Sequence, residues 1–112
     1  MANGSAVDVV TGAQTWVLTD VGLFRLDPAG VQGPAANAAL QRIGPPVRLA
    51  ADENGVWVAG PAGIAHRDPV SGVWEAFTVP ADIPTGPIFD VVPVGDDVWI
   101  GTPAGALRLR WR

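Results

Sequence analysis

Residues 55–63 read GVWVAGPAG, and residues 97–105 repeat that phrase as DVWIGTPAG. A more divergent copy, QTWVLTDVG, occupies residues 14–22. The tryptophans of the three copies, Trp16, Trp57 and Trp99, are 41 and 42 residues apart. Self-similarity at a fixed period of this length is typical of repeat architectures, in which each copy is one supersecondary unit. The sequence therefore predicts three tandem structural units.

Each unit consists of short apolar segments separated by turn residues. The segments are rich in Val, Ile, Leu and Trp, and Gly, Pro, Asp and Asn lie between them, a pattern typical of strands and hairpins. In the turn Gly60-Pro61-Ala62-Gly63, proline presets φ at the second position and glycine frees the fourth. We expect strands near residues 6–11, 15–19, 22–27, 47–51, 55–59, 63–67, 73–79, 88–94, 97–101 and 105–110.

The connection after the third strand differs between the units. In the first unit it reads VQGPAANAALQRIG (residues 31–44), whose Ala-rich part favours a helical turn, so the pattern does not give the position of that unit's outer strand. In the second unit, VWEAFTV (residues 73–79) predicts a clear fourth strand. In the third unit the chain reaches Arg112 directly after the third strand, so we expect that unit to lack its outer strand.

Four antiparallel strands in about 40 to 50 residues, repeated along the chain, are the blade of a β-propeller. The predicted fold is therefore all-β, with three tandem four-stranded antiparallel blades, the third without its outer strand. The whole chain, residues 1–112, is predicted to be one propeller segment. We place its blades at about residues 6–46, 47–88 and 89–112.

Two stretches resemble the propeller repeats of bacterial two-component regulators: NGVWVAGPAGIAHRDPVSGVWEAF (residues 54–77) and DDVWIGTPAGALRLR (residues 96–110). The first unit departs from the pattern, with Leu18-Thr19-Asp20 where that family has Gly-Thr. The resemblance implies blades of a bacterial sensor propeller, and its motif marks turns and packing and specifies no ligand. The matching residues are Trp57, Gly63, Arg67 and Asp68 in the second unit, and Trp99, Gly101, Thr102 and Gly105 in the third.

Composition narrows the range of partners. The net charge is −4 and the seven cations are all Arg without a basic cluster, which disfavours nucleic acid and anionic membranes as partners. The chain has no Cys, so disulfides, thiol catalysis and Cys-ligated zinc are excluded. The N-terminus MANGSAVDVV lacks the features of a signal peptide, and no segment is apolar enough to span a membrane. We expect a soluble chain, and its compartment is left open.

The repeated tryptophans Trp16, Trp57 and Trp99 are the first candidate functional residues. One large aromatic ring at the same position of every unit is best suited to packing between blades. An aromatic-lined binding site is the alternative, although a ligand rarely needs the same residue in every repeat. We predict an inter-blade packing role for all three.

His66, the one histidine, occupies the position that Arg25 and Arg108 hold in the other units. This equivalence predicts a solvated or lightly paired side chain, replaceable by Arg at a cost of no more than about 0.5 kcal/mol. Without a second His or any Cys, we expect no metal site, no cofactor and no catalytic residues, and hence no enzyme. Asp96 and Asp97 lack the spacing of a calcium loop and are interpreted as turn residues.

Asp8, Arg48 and Asp90 form the candidate ligand-binding site. They fall at the same position of the first strand of each unit, eight, nine and nine residues before the tryptophan. The first strand of each blade lines the central channel of a propeller, so these side chains would ring the channel mouth. Charges of alternating sign suit either mutual pairing or a small polar ligand.

Three functions remain open. The first is a non-catalytic module that assembles into a closed ring and serves as an interaction or structural scaffold. The second is a ligand-sensing segment of a bacterial regulator or a C-terminal piece of a longer propeller, and the third is a channel enzyme. Because known propellers have about four to eight blades, three cannot close alone. The expected partner is a second copy, giving six blades, then a trimer, or the remaining blades of the same propeller.

Overall fold

The structure, a computed structural model, describes residues 6–11, 15–19, 22–33, 38–79, 81–84 and 86–111. Within these ranges the chain forms eleven strands and one short helix. They are β1 (Ala6–Thr11), β2 (Thr15–Thr19), β3 (Gly22–Asp27), β4 (Gly30–Gln32), α1 (Ala38–Arg42), β5 (Arg48–Asp52), β6 (Gly55–Gly60), β7 (Gly63–Arg67), β8 (Trp74–Thr78), β9 (Asp90–Val94), β10 (Asp97–Thr102) and β11 (Gly105–Arg110).

The strands form three antiparallel sheets, one for each repeat. The first sheet has the order β1-β2-β3-β4, the second β5-β6-β7-β8 and the third β9-β10-β11. The prediction of an all-β chain is confirmed, and all ten predicted strands are present with ends shifted by one or two residues at most. Within the described residues, the third sheet has three strands, as the sequence predicts.

The first repeat ends differently from the second. The first sheet has the expected fourth strand, β4, which is three residues long and pairs with β3 at a position that the pattern did not give. The Ala-rich stretch forms α1, which packs against β7 and β8 of the next sheet and buries Ala39 and Ile43 there. The carbonyl of Ile43 accepts the N–H of Ala62, and Gly60 passes so close to that carbonyl that a side chain would collide with it.

The first and third sheets cover the two faces of the second sheet. Successive side chains on a strand point to opposite faces, so both sets are buried. Every residue of β6 is accordingly buried, which explains its uninterrupted apolar sequence. One cluster joins the first sheet to the second and consists mainly of Trp16, Leu18, Leu23, Leu49, Val56, Val58 and Ala65. The other joins the second sheet to the third and consists mainly of Trp57, Ala59, Ile64, Ile83, Ile88, Val91, Val98 and Ile100.

The first strands of the three sheets lie side by side. β1 is adjacent to β5, and β5 is adjacent to β9. The sheets thus stack face to face around a row of first strands, and this row carries the charged residues that the sequence singled out.

Candidate functional site

The three repeated tryptophans occupy equivalent places in the pairing register but different environments. Trp16 is 6% exposed and Trp57 fully buried, each packed between its own sheet and the following one. Trp99 is 42% exposed, because no described segment of the chain covers its side of the third sheet. The structure thus places two of the three tryptophans between sheets and leaves the third on an open surface.

The open surface around Trp99 is apolar. Phe89, Val92 and Val94 are about half exposed, at 51%, 49% and 57%. Val92 is the cross-strand partner of Trp99, and the ring of Phe89 lies over Gly101, where a side chain would touch it. Cross-strand partners share a face, so these residues form one patch. We call Phe89, Val92, Val94 and Trp99 the Trp99 face.

A second exposed apolar surface lies on the first sheet, on the side opposite Trp16. Val9, Leu26 and Val31 are 53%, 38% and 52% exposed, and Phe24 on the same side is buried. The register shows which face this is, since Val9 pairs with Val17 as Leu49 pairs with Val58 in the second sheet. We call Val9, Leu26 and Val31 the Val9 face. Most of the large exposed apolar side chains of the described residues lie on these two faces.

Asp8, Arg48 and Asp90 hold one position in the row of first strands. Each pairs with the residue two places after the tryptophan of its sheet: Leu18, Ala59 and Gly101. The pairing of β1 with β2 is in continuous register from Asp8 to Thr11, and the register shift of this pair lies before Asp8, between Ala6 and Asp8. The sequence interpretation of one shared position therefore agrees with the strand pairing.

These three side chains link neighbouring sheets. The Oδ2 atom of Asp8 accepts the backbone N–H of Leu49 at 2.9 Å, which joins β1 to β5. The Nε atom of Arg48 lies 3.5 Å from Oδ1 of Asp90, which joins β5 to β9. The ion pair is about half exposed, so its contribution to stability is small, at most about 1 kcal/mol. The structure thus shows Arg48 paired with Asp90 and Asp8 bonded to the backbone of β5. The binding of a ligand by these residues stays a prediction.

His66 is buried, at 5% exposure, so the expectation of a solvated side chain is wrong. Its Nε2 atom lies 2.7 Å from the carbonyl oxygen of Asn54, and its ring lies 4.4 Å from Trp57 and 4.6 Å from Trp111. Trp111 follows β11 and packs against these two rings of the second sheet. The repeat predicts a polar residue at position 66, but it does not reveal that Trp111 covers the His66 ring.

Two clefts flank Trp16 between the first two sheets, a feature that the sequence analysis missed. Their volumes are about 330 and 190 Å³, and both are lined by Trp16 and Arg67. The guanidinium carbon of Arg67 lies 5.3 Å from the ring centre of Trp16, and that of Arg25 lies 6.0 Å away, within the range of cation–π attraction. The sequence signal for this contact is an arginine in the third strand of each of the first two units, Arg25 in β3 and Arg67 in β7.

The turns that open with Asp-Pro are held by their own carboxylates. Oδ1 of Asp68 accepts the N–H groups of Val70 and Ser71 at 2.8 and 2.9 Å, and Oδ1 of Asp27 accepts that of Ala29 at 2.9 Å. The backbone hydrogen bonds from Ser71 and Val70 lower the pKa of Asp68 below its usual value. Such bonds from a carboxylate to the backbone one turn ahead are typical of aspartate at the start of a turn.

The described residues contain no group of three or more His, Asp or Glu side chains placed to hold a metal ion. Among the same residues, no helix is long and apolar enough to cross a membrane.

The geometry defines the chain as an all-β protein of three stacked antiparallel sheets, and the comparisons with known proteins agree with that class. A similar solved structure is the extracellular domain assigned to the one-component system BT4673 of B. thetaiotaomicron, with a TM-score of 0.66 and 19% sequence identity. The match covers 98% of this chain and 16% of that chain, and at this identity it shows the fold alone. No family model matches the chain, and no curated protein sequence matches it.

Proposed function

We propose that this chain is a non-catalytic β-propeller segment of three blades that completes a ring by docking its two open faces onto further blades. The first partner is a second copy, so that two chains form six blades. One observation carries the proposal: Trp16 and Trp57 are buried against the next sheet, whereas Trp99 lies exposed at the equivalent position.

The two open faces correspond to the two faces that already pack against each other within the chain. The Trp99 face is equivalent to the face of the second sheet that carries Trp57, which packs on the third sheet. Val9 is equivalent to Leu49, which is only 5% exposed because the first sheet covers it. Docking the Trp99 face of one copy on the Val9 face of another would therefore repeat an arrangement that occurs twice in the chain.

Head-to-tail contacts of this kind form rings when the rotation between successive units closes. Six blades lie within the usual range of propellers, and nine, from three chains, would be less usual. Burying Phe89, Val92, Val94 and Trp99 would also remove an apolar patch of a kind that soluble monomers seldom expose. The remaining blades of a longer propeller are the alternative partner, and the similar solved chain is much longer than this one.

Substitutions on the two faces test the proposal. Val92→Asp and Val9→Asp should each shift the chain from dimer towards monomer in size exclusion with light scattering at micromolar concentration. Val70→Asp is the matched control, because Val70 is 95% exposed in a turn outside both faces. Mixing Val92→Asp with Val9→Asp should restore part of the dimer. In the mixed ring, the intact Trp99 face of Val9→Asp would meet the intact Val9 face of Val92→Asp.

The proposal fails if the unmodified chain is a stable, well-folded species of 11.6 kDa under these conditions. It also fails if Val70→Asp weakens association as much as Val92→Asp does.

A ligand-sensing segment is the second candidate, favoured by the similar solved structure, which belongs to the extracellular domain of a one-component system. The row of Asp8, Arg48 and Asp90 is then the binding site, because its charges suit a small polar ligand. A thermal-shift screen of metabolites separates the two functions. A ligand that stabilises the chain, and no longer does so in Arg48→Ala, would favour sensing. A channel enzyme ranks last, since the chain offers few positioned acid–base groups.

A further inference from the structure

The charges of Asp8, Arg48 and Asp90 in the row of first strands affect how well a second copy fits the open Trp99 face. This inference rests on the proposed assembly of two copies. Members of this row form the contacts between neighbouring sheets. At the first junction Asp8 bonds β5, and at the second Arg48 pairs with Asp90.

Both junctions within the chain are matched in charge. At the first, Asp8 bonds the N–H of Leu49, the residue that follows Arg48. The Leu49 N–H can bind Asp8 because the preceding residue, Arg48, has no side-chain acceptor that could bind this N–H itself. At the second, Arg48 faces the carboxylate of Asp90 directly. In neither case do two like charges meet.

The junction between two copies would differ. The equivalent contact sets Asp90 of one copy against Asp8 of the other. The N–H that could receive Asp90 belongs to Val9, and it is already bound by Oδ1 of Asp8 at 3.0 Å, as the N–H of Val91 is bound by Asp90 at 2.9 Å. Two carboxylates would therefore compete for one donor, and like charges placed together oppose association.

We propose that Asp8 and Asp90 determine how strongly a second copy docks on the open Trp99 face. A second copy docks there against the repulsion of this carboxylate pair, and neutralising one carboxylate strengthens the docking. Among the described residues, Arg48 is the one cation that lies against either carboxylate, and it is already engaged with Asp90 of its own chain.

The test is the dimer dissociation constant of Asp8→Asn, measured by sedimentation velocity at neutral pH. Asparagine keeps an oxygen that can accept the N–H of Leu49 and removes the charge. Because both carboxylates are partly exposed, we expect an increase in affinity of about fivefold. Glu53→Gln changes the net charge equally at an exposed position in the β5–β6 turn, and it should leave the constant unchanged.

Salt provides a second measurement on the same proteins. Raising NaCl to about 0.5 M screens partly exposed charges, so it should tighten the dimer of the unmodified chain more than that of Asp8→Asn. Asp90→Asn gives a further folded variant, checked by circular dichroism, and should also bind its own copies more tightly.

An Asp8→Asn protein that is folded and associates no more tightly than the unmodified chain overturns this inference. If Val92→Asp still abolishes the dimer in that case, the proposed ring assembly stands without it. A chain that stays monomeric at every concentration overturns both.

Discussion

The rings of Trp57 and His66 lie 4.4 Å apart on neighbouring strands, and Trp111 closes over both at 5.2 and 4.6 Å. His66 is the cross-strand partner of Trp57, so the two rings share the face that packs on the third sheet. Its Nε2 also contacts the carbonyl of Asn54, whose side-chain amide donates to Gly95 in the third sheet's hairpin. This group of rings therefore holds the second and third sheets together.

Replacing His66 by Arg should destabilise the chain by about 2 kcal/mol or more, because the longer side chain would not fit the buried site between the rings of Trp57 and Trp111. This replaces the sequence-based expectation of a neutral change. Urea unfolding followed by tryptophan fluorescence measures the difference. As a control, Arg108→His at the equivalent exposed position of the third sheet should change stability little. An unchanged urea midpoint for His66→Arg would contradict the packing described above.

Trp57→Ala and Trp99→Ala should differ sharply although the repeat makes them equivalent. Trp57 is fully buried, so its truncation should cost about 3–5 kcal/mol of unfolding free energy. Trp99 is 42% exposed, and its truncation should affect the monomer far less but weaken self-association. Thermal unfolding under dilute conditions, together with light scattering at higher concentration, separates the two effects. Equal losses of stability would show that the third sheet is covered within the chain.

Gly55→Ala should destabilise the second hairpin by about 2 kcal/mol or more. Gly55 has a φ of +125°, and an added Cβ would collide with the carbonyl of Arg67 and lie 2.8 Å from Nε2 of His66. Gly30→Ala is the matched control, since Gly30 has nearly the same φ, +126°, with no atom within 4 Å of the added carbon. Chemical denaturation should show Gly55→Ala as clearly the less stable variant.

The lowered pKa of Asp68 predicts how its turn responds to acid. Its folded pKa lies below the unfolded value, so the ionised carboxylate stabilises the fold above the unfolded pKa, and this contribution is lost as the pH falls through the folded pKa. An NMR titration of the carboxyl carbon should show Asp68 protonating at lower pH than aspartate in an unfolded peptide. Ser71→Ala removes a side-chain hydrogen bond to Asp68, and Val70→Pro removes one backbone N–H donor. In both variants the pKa of Asp68 should move back towards its ordinary value.

Much of the fold was predictable from local patterns. Strand positions followed from the spacing of apolar segments and turn residues, as the match between predicted and observed strands shows for β2, β3 and β7. The common position of Asp8, Arg48 and Asp90 also followed from the repeat. The position of strand β4 was not predicted, because three residues with a glycine carry too weak a pattern. The closure of the sheets into a ring was predicted and remains a proposal.

The sequence by itself determined three equivalent units, because strand and turn preferences act over a few residues and recur with the repeat. The tertiary structure decided how equivalent residues differ. Trp57 is buried and Trp99 exposed only because a third sheet covers the one and no described segment covers the other. His66 is buried only because Trp111, distant in sequence, folds over it. Burial depends on which neighbours a position meets in space, and a repeat pattern does not contain that information.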